Sequence, residues 1–204
     1  TAAGCFAVLR QLRSIRRSAK VAAPPCRVTT TTTTTRQVLQ SLVVSLVLTR
    51  LDYGCATLAG APACLLDKLQ SVMNAAARLI CSARKYDHVT PLLRELHWLR
   101  VPERITFRLA VYAYRCQHGL APSYLADDIR RVADVESRRR LRSASTAQLL
   151  VPPMEHSTIG DRAFPVAAAR AWNSLSSHVT SSLSLPVFRS RLKAELFARS
   201  FGAV

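Results

Sequence analysis

Acidic side chains are what this sequence has least of. Among 204 residues there are 12 Asp and Glu against 29 Lys and Arg, and the first fifty residues hold eight cations and no acid. Glycine is nearly as scarce, with six residues, while ten prolines interrupt the chain. Those two counts exclude a collagen-like repeat and a long coiled-coil rod. No glycine-rich phosphate loop, no Gly-x-Ser-x-Gly elbow and no His-Glu-x-x-His pair occurs, so three common catalytic frameworks are missing. The longest apolar stretch, Val38 to Leu48, lies within thirteen residues bracketed by Arg36 and Arg50. A bilayer crossing takes about 20 residues, so this stretch reads as a core helix and no membrane partner is expected.

Apolar residues make up 49% of the chain, more than a disordered polycation carries. A chain of this length buries about 70% of its unfolded surface without help from disulfides. Six cysteines, Cys5, Cys26, Cys55, Cys64, Cys81 and Cys116, are widely and irregularly spaced and include no Cys-x-x-Cys. They read as reduced, buried thiols of a cytoplasmic or nuclear protein rather than a secreted one. Cys116 and His118 have no second ligand pair nearby, and the five histidines are scattered. No metal, no other cofactor and no small-molecule substrate is therefore expected. Thr1 stands where an initiator Met would, which suggests a piece of a longer protein.

The formal net charge is +17, and 25 of the 29 cations are Arg. The planar guanidinium fork suits phosphate oxygens, so a polyanion is the partner class that the charge points to.

Along the chain the pattern is helical throughout, and the fold class expected is all-α. Cys5, Val8, Leu9, Leu12 and Ile15 mark a basic amphipathic helix over 1–20. Pro24, Pro25 and seven threonines, Thr29 to Thr35, read as a low-complexity linker over 21–35. A helical domain is expected over 36–129. Within it Pro62 opens the clearest helix, whose stripe is Leu65, Leu66, Leu69, Val72, Met73, Ala76 and Ile80. Thr90-Pro91 and Pro102 open two more, with Gly119 placed to stop the second. Residues 130–148 form a basic hinge, and 149–204 a small helical C-terminal lobe, which opens with an extended tie or short strand over Leu149 to Pro153.

One feature imitates catalytic chemistry. Leu125-Ala126-Asp127-Asp128 looks like a polymerase metal box, but two-metal chemistry needs a β-hairpin and a further aspartate. After Ala121-Pro122-Ser123 the two aspartates are expected in the first turns of a helix, favoured there by its dipole. Trp98, Trp172, Tyr86 and Tyr124 are able in principle to stack on bases, yet each sits in an apolar local pattern that points to the core.

Several segments recur together in one order: Arg50-Leu51-Asp52-Tyr53, Leu69-Gln70 with Asn74-Ala75-Ala76-Ala77-Arg78-Leu79, Arg84 to Leu93, Glu95-Leu96-His97-Trp98-Leu99, Arg104-Ile105, His118 to Leu125, Gly160-Asp161-Arg162-Ala163-Phe164, and Trp172-Asn173-Ser174-Leu175. In this order they resemble the carboxy-terminal region, thumb and beyond, of the reverse transcriptase of LINE-type (non-LTR) retrotransposons of the jockey-like kind, over roughly residues 36–201. The resemblance implies an RNA-directed DNA polymerase as parent, with fingers and palm lying upstream of the matched region. This chain would be non-catalytic and would hold RNA or an RNA–DNA hybrid through backbone contacts. Arg78, Arg84 and Lys85 near the end of the clearest helix, and Arg138, Arg139, Arg140 and Arg142 in the hinge, are the candidate phosphate ligands. The competing expectation is an inactive helical fragment that serves protein interaction alone.

Overall fold

The structure, a computed structural model, describes residues 2–21, 30–134, 148–154 and 160–202, with backbone only at 19–21 and 30–35. Among these the regular structure is helical, and the sole extended pairing is an isolated antiparallel bridge between Arg131 and Leu149. The chain is all-α. By packing it divides into two compact units, one made of residues 1–53 and 62–101, the other of 54–61 and 102–204. The boundaries drawn from composition, at 36, 130 and 149, differ from this division. Composition marks where the chain turns polar, whereas packing depends on which helix seams fit together.

In the first unit, α1 (Ala2–Val21) packs on α4 (Ala63–Cys81). Its buried positions are Cys5, Leu9 and Leu12, spaced four and three residues apart as one helix face requires. Ile15, expected on that stripe, is 62% exposed. The stripe continues to Arg16 instead. α2 (Thr30–Val43) leads without a break into a wide π-helical turn, Val44–Leu48, and then α3 (Thr49–Asp52). The extra residue in that turn shifts the phase of the buried face, so that adjacent Val47 and Leu48 are both covered after Leu39 and Val43. The threonine tract is a correction to the expected linker: from Thr30 it is helical. Threonine costs at most about 0.7 kcal/mol per helical residue relative to alanine, and extending a helix already anchored by Leu39 and Val43 needs no new nucleus.

Pro62 precedes α4, as the sequence indicates, and Val72, Met73, Ala76, Ala77, Leu79 and Ile80 are buried on it. Leu65, at the exposed beginning of the predicted stripe, is not covered. α5 (Thr90–Glu95) has Pro91 in its first turn, but Val89 rather than Thr90 is the cap residue. It ends with His97 at φ 52° and the Trp98 N–H bonded to the Leu93 carbonyl at 2.9 Å, which turns Trp98 into the core.

The second unit is built on α6 (Val101–Gln117), α8 (Phe164–Asn173) and α10 (Leu185–Phe201), with the short helices α7 (Ser123–Ala126) and α9 (Ser177–Thr180). Gly119, at φ 65°, closes α6 as expected, with the Leu120 N–H on the Arg115 carbonyl at 2.8 Å. Phe188 stacks between Tyr114 and Trp172, at centroid distances of 4.5 and 5.7 Å. The Tyr114 hydroxyl donates to the Ser182 carbonyl at 3.1 Å, so the buried ring leaves no polar atom unsatisfied. Leu149 to Pro153 is the extended tie: the Leu150 N–H reaches the Arg130 carbonyl at 2.8 Å.

Asp127 and Asp128 are not in the first turn of a helix. α7 has only four residues, Asp127 caps its C-terminal end, and both carboxylates are exposed. The favourable dipole expected for them is absent, because that end carries the negative pole. Cys64 is exposed where a buried thiol was expected, while Cys5, Cys55 and Cys116 are buried. Among the described residues no helix is long and apolar enough to cross a membrane.

Candidate nucleic-acid interface

Both units are basic, and the first, with fourteen Lys and Arg against four Asp and Glu, has the larger excess and carries a basic groove. It begins with Arg16. Cys5, Leu9, Leu12 and Arg16 share one face of α1, and the last of them reaches the C-terminal end of α4. There the partners on offer are orphan carbonyls rather than apolar side chains, and Arg16 donates to the Leu79 carbonyl and to the Ser82 hydroxyl. This is why an arginine continues the buried stripe and Ile15 does not. Ser82 sits at φ 58°, and the Ala83 N–H closes the helix end on the Arg78 carbonyl at 3.0 Å.

Around that end lies a groove of about 520 Å³ lined by Arg13, Arg16, Arg17, Ala75, Arg78, Leu79, Ser82, Ala83 and Lys85. A second hollow of about 550 Å³ adjoins it, sharing Arg13, Ala75 and Leu79 and adding Arg10. Among the described residues no carboxylate lines either. The α4 C-terminus contributes about half a negative charge, which Arg16 covers. Four further full positive charges, from Arg13, Arg17, Arg78 and Lys85, outweigh it.

Two of the residues singled out from sequence, Arg78 and Lys85, are therefore brought together on this groove. Arg78 donates to the Asp87 carbonyl at 3.2 Å, and its Nε is buried without a partner. Arg84 lies in the following turn, where its backbone N–H donates to Asp87 Oδ2 at 2.6 Å and its side chain is exposed. Arg138, Arg139, Arg140 and Arg142 lie outside the described residues. Arg10, Arg13, Arg16 and Arg17 also line these hollows and were not among the residues singled out from sequence. Their signal was present: Arg13, Arg16 and Arg17 follow the three-and-four spacing of a single face. What sequence lacked was the knowledge that this face borders the end of α4.

Four cations elsewhere are engaged in holding the fold. Arg191 donates to the His178 carbonyl at 2.9 Å and Arg199 to the Ser174 carbonyl at 2.6 Å, each covering the end of a helical segment. Arg170 pairs with Asp161 at 2.9 Å, and Arg36 with Glu95 at 2.5 Å. Arg10, Arg13 and Arg17 make no hydrogen bond or ion pair with a described residue. Arg13 and Arg17, one turn apart, repel each other by about 0.2–0.5 kcal/mol. An anion between them removes that repulsion.

The aromatics divide in a way that local pattern did not show. Trp98 and Trp172 are buried, as expected, but Tyr86 is 89% and Tyr124 70% exposed. Both tyrosines follow or begin short turns and not a helix face long enough to carry them inward. Among the described residues, no group of three His, Cys, Asp or Glu side chains converges as a metal site. Comparison of the chain with protein-family models, with curated proteins and with solved structures returns no match.

Proposed function

We propose that this chain is a non-catalytic helical module that holds nucleic acid through phosphate contacts. Such contacts are those the thumb of a LINE-type reverse transcriptase makes on a primer–template or on RNA. The observation that carries the reading is the acid-free groove at the α1–α4 junction, with Arg13, Arg17 and Lys85 exposed beside it. Phosphate contacts position a strand without reading its sequence, so the module needs no base-specific pocket. The resemblance to the carboxy-terminal region of that polymerase supports the same reading and supplies the partner class, RNA or RNA–DNA hybrid.

Filter binding of an RNA–DNA hybrid across a salt series tests it. With four phosphates engaged, the logarithm of the affinity falls against the logarithm of salt with a slope of about −3 to −4. An affinity indifferent to salt overturns the reading.

A second reading has its own observation. Val38, Leu42 and Leu46 lie four residues apart and are exposed, forming an apolar stripe on the first unit. That stripe favours an inactive helical fragment that docks on protein, the fingers and palm of a parent polymerase being the proposed occupant. Self-association in size-exclusion chromatography supports this reading, and a clean monomer counts against it.

A further inference from the structure

We infer that the ring of Tyr86 is a base-stacking contact beside the groove, so that the site takes a strand with unpaired nucleotides in preference to a closed duplex. The inference rests on the phosphate-holding reading above.

Tyr86 is the third residue of a tight turn, Arg84 to Asp87. The turn is closed by the Asp87 N–H on the Arg84 carbonyl at 3.3 Å and by the Arg84 N–H on Asp87 Oδ2 at 2.6 Å. Arg78 ties the same turn to α4 through the Asp87 carbonyl. Three hydrogen bonds thus hold the backbone while the ring is left 89% in water. An exposed aromatic on a braced turn forgoes its own burial and is ready to offer a flat face at little further entropic cost.

What lies beside that face gives its chemistry. Lys85 Nζ stands 5.6 Å from the ring centroid, and Lys85 also lines the groove. A strand whose phosphates follow Arg13, Arg17 and Lys85 brings its bases within reach of Tyr86. Aromatic side chains flanked by cations are what sequence-tolerant single-strand sites use, because every base has a π-face. In a closed duplex those faces are already stacked on one another. Tyr53 is a built-in control: it is 90% exposed in the same unit, and among the described residues no cation lies over its ring.

The test uses the full 204-residue chain with two probes, a short oligouridylate and a blunt RNA–DNA hybrid of equal length, read by fluorescence anisotropy at several salt concentrations. Tyr86→Leu is expected to weaken oligouridylate binding by about tenfold or more. The hybrid affinity and both salt slopes should stay unchanged, Tyr86→Trp should restore binding, and Tyr53→Leu should have no effect. Equal losses on both probes, or no loss on either, with salt-dependent binding retained, overturn the role of Tyr86 and leave the phosphate-holding reading standing. Absence of salt-dependent binding to both probes overturns the two together.

Discussion

The side-chain amide of Asn173 holds both backbone groups of Leu149. Its Oδ1 accepts from the Leu149 N–H at 2.8 Å and its Nδ2 donates to the Leu149 carbonyl at 2.9 Å. One residue of α8 thus stands in for a β-strand partner and fixes the extended tie to the helix. Asn173→Ala leaves both groups of a buried residue unpaired, which costs about 1–3 kcal/mol. A fall in the urea midpoint is the expected result, together with faster proteolytic cleavage near Leu149. An unchanged midpoint would mean that water replaces the amide.

The two arginine roles on α1 separate by substitution. Arg16→Ala removes a cap from the α4 carbonyls and should cost about 1 kcal/mol of stability. Arg17→Gln removes the repulsion with Arg13 without setting a carboxylate against the negative end of α4, so stability should hold or rise by a few tenths of a kcal/mol. Nucleic-acid affinity should fall and the salt slope should flatten by about 1. Thermal melts alongside binding curves read both; a destabilised Arg17→Gln variant would contradict the assignment.

Gly119 and Gly4 make a matched pair. At Gly119, φ is 65° and an added Cβ meets nothing within 4 Å, so Gly119→Ala isolates the cost of a left-handed residue, about 1–2 kcal/mol. Gly4 lies inside α1, also with open space around it, and Gly4→Ala should stabilise by about 0.5–1 kcal/mol. Opposite shifts in denaturant midpoint are expected. Shifts of the same sign would place the strain elsewhere.

Burial holds the thiols of Cys81 and Cys116 above the ordinary cysteine value of 9.0, and at Cys81 the Glu95 carboxylate adds to the effect while Arg36 opposes it. The unfolded chain ionises these thiols first. Their contribution to stability is therefore complete below pH 9.0 and is lost as pH rises through the higher folded values. Denaturation midpoints should decline above that pH, and Cys116→Ser should make the decline shallower. At neutral pH, Cys64 should be alkylated well before Cys5, Cys55 and Cys116, since it alone of these four is exposed; mapped mass shifts report the order.

Much of the fold was legible because its signals are local. Pro62 and Pro102 mark helix starts and Gly119 a stop through their own backbone restrictions, whatever surrounds them. Val72, Met73, Ala76 and Ile80 fall on one face because 3.6 residues make a turn. Two of the five cations that line the groove were legible in the same way: Arg78 and Lys85 flank the end of an evident helix. The misses have one origin. Ile15 and Arg16 are neighbours on α1, and only the position of the α4 terminus decides which of them turns inward. The environments of Tyr86 and Asp127 likewise depend on where short turns end.

An all-helical chain, a strong positive charge, the starts of α4 and α6 and the stop of α6 were determined by the sequence alone, since propensity, proline and glycine restrictions and charge belong to residues and their near neighbours. Tertiary structure decided that Arg13, Arg16 and Arg17 meet Arg78 and Lys85 around one groove, and that Asn173 holds Leu149. Those pairings join residues far apart in the chain, and no local rule states which helix end will face which side chain.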